Sequence, residues 1–159
     1  MNKRALVKKI VAKLTDELGI YFRAAQASRA EATHEQSKAE NKYDTRGLEA
    51  SYLARGQSRQ AAELEAAIAD FEKLKARQFT NGDGIDVGAL VELEADGEKS
   101  FYFIGPRAGG TEVEQDKQEI LVITPQSPLG AQLMEKKAGD RPQLLLAGRK
   151  QPSRIISVE

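Results

Sequence analysis

Apolar positions in the first half of the chain recur at intervals of three and four. Between residues 3 and 34, Leu6, Ile10, Leu14, Leu18, Tyr21, Ala25 and Ser28 fall on one helical face. No Pro precedes Pro106, and Gly19 is the early weak point; a mid-helix Gly costs about 1 kcal/mol relative to Ala. A second helical pattern runs from about residue 44 to 77, with a seam of Leu53, Gln57, Ala61, Leu64, Ile68, Phe71 and Leu74. Gly47 and Gly56 weaken it locally. Both seams become poorer toward residues 35–47, where Ala, Ser and Gln replace Leu and Ile. The pattern predicts two antiparallel helices joined near residues 36–43, with small side chains permitting close approach near the tip. A helix of that size is roughly 45 Å long at about 1.5 Å per residue, so the hairpin is expected to reach well beyond a small globular domain.

The period changes after the turn "TNGDG", residues 80–84. "VGALVELEAD" alternates at Ala89, Val91, Leu93 and Ala95, and "KSFYFIGP" reads as a second strand after the turn "ADGE". "EILVITP" is apolar on both faces and is expected to be an interior strand. "GPRAGGT", residues 105–111, is a loop. In "SPLGAQLMEKKAGD", Ser127 is a helix cap, Pro128 fits the first helical position, and Gly139 is placed to end the helix. Leu129, Leu133 and Met134 give that helix a packing face. "PQLLLAG" and "SRIISVE" supply two further strands. The expected fold is α+β. A coiled-coil hairpin occupies residues 1–78, and a small antiparallel or mixed sheet domain with one short helix occupies residues 79–159.

Composition narrows the chemistry. The chain carries 24 basic and 24 acidic residues. Residues 1–78 hold 15 Lys or Arg against 11 Asp or Glu, while residues 79–159 hold 9 against 13. This balance argues against a nonspecific duplex binder and permits docking on a large partner through separate faces. The absence of Cys excludes disulfides, thiolate metal sites and a thiol nucleophile. No run approaches the roughly 20 apolar residues of a membrane span, and the basic start lacks the continuous apolar block of a signal peptide. A cytoplasmic protein is expected. "GDG" and "AGG" lack the Lys of a phosphate cradle, and Ser127-Pro128 is not a nucleophile elbow. A free-standing enzyme is therefore not expected.

Two stretches resemble a known family. "TPQSPLGAQLMEKKAGD", residues 124–140, is similar to the C-terminal domain of the bacterial Gre transcript cleavage factors, GreA and GreB. Ser127, Pro128, Leu129, Leu133, Lys136, Gly139 and Asp140 match in order. "ELEAAIADFEKL", residues 63–74, resembles the descending helix of the Gre hairpin. The likeness covers nearly the whole chain, more strongly after residue 86. It implies an FKBP-like C-terminal domain that docks at the rim of the RNA polymerase secondary channel. It also implies a hairpin that enters the channel, where tip carboxylates help hold Mg²⁺ in the active site and the polymerase hydrolyses its own backtracked RNA.

The polar turn "EQSKAENKYDTRGLE", residues 35–49, is either a solvated connection whose carboxylates keep it soluble or, as the resemblance implies, the place for that chemistry. A second Mg²⁺ activates water and neutralises charge when oxygen ligands hold it near the first, and one or two carboxylates suffice. Glu40 and Asn41 match the family's Glu-Asn, Tyr43 falls one residue early, and Ser37 stands where the family carries Asp. Glu40 is the leading candidate for the shared Mg²⁺, with Asp44 and Glu35 next and Asn41 and Tyr43 as tip support. Arg46 and Arg55 are candidates for contact with the RNA; Arg59 pairs more simply with Glu63. Lys136, Lys137 and Asp140 are candidates for polymerase docking. Lys3, Arg4, Lys8 and Lys9 read as a solvated face.

The leading expectation is a monomeric elongation factor that binds bacterial RNA polymerase and the RNA 3′ end and stimulates cleavage, with no cofactor of its own. The alternative is a secondary-channel regulator or competitor with little or no cleavage stimulation, which the shifted tip favours. A self-associating adaptor is a third account, weakened by Ser, Gln and Ala in the seams.

Overall fold

The computed structural model describes residues 1–38 and 45–159, with residues 25, 28, 29, 31–38 and 45–55 described by backbone alone. An N-terminal helical hairpin, α1 (Lys3–Lys38) and α2 (Thr45–Lys73), precedes a mixed β-sheet with one short helix. Asn2 starts α1: its Oδ1 accepts from the Ala5 amide at 3.1 Å and its carbonyl from Leu6 at 3.0 Å. The side-chain contact satisfies one donor that a helix start leaves without an intrahelical partner, and the carbonyl accepts the first bond of the helix. The chain divides into two compact units, Ala12–Ile68 and Met1–Val11 with Ala69–Glu159.

Residues Ala12–Ile68 hold the bodies of both helices. Leu14, Ala61 and Ala67 are buried, and Leu18, Tyr21, Leu64 and Ile68 are half-buried. Alanines at such a seam let two helix backbones approach closely. Ile20 and Phe22 lie off the expected seam and are exposed, at 58% and 46%.

The other unit contains the strands β1 (Leu90–Ala95), β2 (Glu98–Ile104), β3 (Glu112–Gln115), β4 (Gln118–Ile123), β5 (Gln143–Leu146) and β6 (Arg149–Val158). They form one sheet in the order β3-β4-β2-β1-β6-β5. β2 and β4 run parallel, so the sheet is mixed rather than wholly antiparallel; the other pairs are antiparallel. β4 is interior, as its two-sided apolar pattern requires. β3 carries only Val113 as a large apolar residue and gives almost no strand signal in the sequence.

One face of the sheet buries Val91, Leu93, Ile104, Ile123, Leu144 and Ile155, closed by Leu133 of α3 (Pro128–Leu133). Leu121 and Ile123 serve this core, while Ile120 and Val122, the alternate residues of β4, are also buried and lie outside it. Phe71 of α2 stacks on Phe103 of β2, with ring centroids 6.3 Å apart. Gly105 is the floor of this contact. A Cβ there would stand 2.8 Å from both Phe71 Cζ and Val122 Cγ1.

Two helix ends differ from the sequence expectation. α2 stops at Lys73, not near residue 77: Leu74 donates to Phe71 O at 3.1 Å, and Arg77 to Lys75 O at 2.7 Å. α3 stops at Leu133, well before Gly139. Its continuation is diverted into pairing with residue 85. Glu135 N donates to Ile85 O at 2.9 Å, and Ile85 N to Lys136 O at 2.8 Å.

Candidate functional site

Three places carry the candidate residues: the hairpin, its root, and the segment after α3. At the first, Glu40, Asn41, Tyr43 and Asp44 lie outside the described residues. Glu35 falls in the last turn of α1, Arg46 in the first turn of α2 and Arg55 further along it; their side chains also lie outside the described residues. Among the described residues, no group of three or more His, Cys, Asp or Glu side chains is disposed to hold a metal ion. No described helix is long and apolar enough to cross a membrane.

The root of the hairpin is held by polar contacts the sequence did not announce. Lys3 is buried, at 6% exposure, in contrast to its reading as part of a solvated face. Its Nζ donates to the carbonyls of Arg77 and, at 3.3 Å, Gly88. The ammonium sits 4.7 Å from the centre of the Phe79 ring, and the Arg77 guanidinium lies 4.6 Å from the same ring. Burial pushes the Lys3 pKa below the usual lysine range, Glu159 opposes that shift, and Arg77 adds to it. The signal available in the sequence was Phe79, a large aromatic just beyond the second helix. Further contacts hold the same root. Lys9 Nζ donates to Glu114 O at 2.8 Å, Gln115 Nε2 to Asn2 O at 3.0 Å, and Arg107 Nε to Asp70 at 2.5 Å.

At the third place, Ser127 caps α3 as expected, accepting from Gly130 N at 3.1 Å. Ser127 Oγ also donates to Thr124 O at 2.7 Å. Lys136 is half-buried, whereas Lys137 and Asp140 are exposed. Asp140 Oδ2 accepts from the Lys137 amide at 2.8 Å, and Asp140 O accepts from Ile155 N at 2.9 Å. These bonds bring Lys137 and Asp140 together in one turn and give Asp140 a structural task. Gln132 has one too: its Oε1 accepts from Leu145 N at 2.8 Å and its Nε2 donates to Leu145 O at 3.4 Å. The side-chain amide thus stands where a neighbouring strand would pair with β5.

No family model and no curated protein sequence matches this chain. Solved structures do match along nearly all of it. GreA factor homolog 1 (Gfh1) of Thermus thermophilus is 23% identical, with a TM-score of 0.40, over 94% of both chains. Gfh1 of Thermus aquaticus is 23% identical, with a TM-score of 0.41, over 93% of this chain and 92% of that one. A further structure, described as the transcription factor Gfh1, is 20% identical, with a TM-score of 0.41, over 96% and 94%. The chain is similar to GreA factor homologues. This similarity corrects the leading expectation of function: the matched chains are homologues of GreA and not the cleavage factors GreA or GreB themselves. Stimulation of transcript cleavage is therefore withdrawn as the reading.

Proposed function

We propose that this protein is a Gre-like regulator that binds bacterial RNA polymerase at its secondary channel, competes there with cleavage-stimulating factors, and adds little or no stimulation of its own. The observation that carries the reading is Ser37. A hydroxyl stands where the Gre pattern has a tip carboxylate, at the end of the first of two long helices. A serine hydroxyl is neutral and is a far poorer Mg²⁺ ligand than a carboxylate. The tip would then occupy the channel without completing a second metal site.

In this reading Glu40, Asp44 and Glu35 lie close to the Mg²⁺ that belongs to the polymerase, with Asn41 and Tyr43 shaping the tip. Arg46 and Arg55 face the phosphates of the RNA 3′ end. Lys136, Lys137 and Asp140 belong to the docking surface of the domain at residues 79–159. The protein acts as a cytoplasmic monomer.

The test is a backtracked polymerase complex given this protein, GreA, or both. This protein alone is expected to leave cleavage near its intrinsic rate and, in excess, to lower the GreA-stimulated rate. Cleavage stimulated to the GreA level, or a GreA rate unaffected by excess protein, would reject the reading.

A further inference from the structure

A groove of about 690 Å³ opens between the first turns of α1 and the end of α2. It lies wholly within the unit formed by Met1–Val11 and Ala69–Glu159. Its apolar surface comes from Val7, Val11 and Leu74, over the fully buried ring of Phe71. Val7 and Val11 are four apart and lie on a different stripe of α1 from the buried Leu6 and Ile10. The first helix therefore carries a second apolar stripe, which the sheet domain does not fully bury: Val7, Val11 and Leu74 remain half-buried.

The rim is charged unevenly. Arg4, Lys8 and Lys75 border the groove, against a single acid, Glu72. All three cations are exposed, and among the described residues none of them forms an ion pair. An apolar floor with a basic rim is complementary to an apolar ridge with acidic flanks. Its lining spans positions 4 to 11 of α1, the length over which a docked helix presents anchors at i, i+4 and i+7.

We propose that this groove is a docking site for an acidic amphipathic helix of a partner protein. The apolar ridge of the partner enters between Val7, Val11 and Leu74, above the ring of Phe71. Its carboxylates meet Arg4, Lys8 and Lys75. The proposal is independent of the polymerase reading, since it uses neither the hairpin tip nor the segment after α3.

The experiment titrates the full-length, isotope-labelled protein with a synthetic helical peptide carrying Leu at i, i+4 and i+7 and Glu elsewhere. Amide signals of Val7, Val11 and Leu74 should shift in a saturable way, and binding should weaken with added salt. The combined variant Arg4→Glu, Lys8→Glu, Lys75→Glu changes only exposed side chains; an unchanged thermal midpoint confirms its fold. It should bind about tenfold more weakly, the sum of three surface ion pairs. A matched peptide with Lys in place of Glu should bind this variant and not the wild type. Replacing the Leu residues of the first peptide by Ser should abolish binding. Absence of saturable shifts at these residues, equal binding of the Glu and Lys peptides to wild type, or undiminished binding by the variant would each overturn the proposal.

Discussion

The ammonium of Lys3 lies 4.7 Å from the centre of the Phe79 ring while its protons reach the carbonyls of Arg77 and Gly88. One side chain thus joins the first turn of α1 to the chain that follows α2 and to the turn before β1. Replacing it by Ala leaves two carbonyls without a donor and removes a cation from the ring. Lys3→Ala is expected to lower unfolding free energy by about 2–4 kcal/mol, measured by urea denaturation. Lys8→Ala, at an exposed position, is expected to change it by less than about 0.5 kcal/mol.

The same lysine gives a signed pH dependence. Its folded pKa is lowered from 10.5, chiefly by burial. Between the lowered value and 10.5 the unfolded chain therefore binds more protons at this site. The Lys3 contribution to stability rises with pH across that window. Asp83 behaves in the opposite range. Its carboxylate accepts from Thr80 N at 2.7 Å and Thr80 Oγ1 at 2.9 Å, and these bonds lower its pKa from 3.8. The stabilisation it supplies is present above 3.8 and is lost as pH falls through the lowered folded value. A carboxyl-carbon NMR titration of Thr80→Val should show the Asp83 midpoint moving up toward the ordinary value.

Two glycines separate a packing requirement from a helix penalty. A Cβ on Gly130 would lie 1.8 Å from Thr124 O, whereas one on Gly56 meets nothing within 4 Å. Gly130→Ala is expected to cost about 3 kcal/mol or more, by pushing the start of α3 off the chain at Thr124. Gly56→Ala, inside α2, is expected to stabilise by about 0.5–1 kcal/mol. Thermal melting of the two variants reads both signs.

The amide of Gln132 guards an edge of the sheet. Gln132→Leu removes both bonds to Leu145, leaving edge backbone groups beside an exposed leucine. Exposed strand edges pair with other chains. The variant is expected to self-associate at concentrations where wild type does not, as measured by sedimentation velocity.

These residues also mark how far the sequence could be read. The seam positions from Leu6 to Tyr21 and from Ala61 to Leu74, the change of period after residue 84 and the Ser127 cap are local patterns, and among the described residues the structure contains them. The end of α3 is not local. Ile85 captures the backbone at residues 135–136, and nothing in "QLMEKKAG" announces that partner. Lys3 was misread for the same reason, because its burial depends on a ring that follows the second helix. β3 was missed because Glu112, Glu114 and Gln115 surround its one large apolar residue. The polar turn is a candidate site by its composition alone, and the convergence of its carboxylates depends on geometry that sequence spacing does not fix.

In the proposed function the tip of the hairpin reaches the active centre of a polymerase. The chain has no Cys, so Lys42→Cys creates a unique attachment point for an iron chelate that cuts nearby backbone with hydroxyl radicals. Bound to a backtracked polymerase complex, the labelled protein is predicted to cut the polymerase around its catalytic Mg²⁺ and the RNA near its 3′ end. Cuts confined to the outer surface of the polymerase, or none above an unlabelled control, would contradict the account.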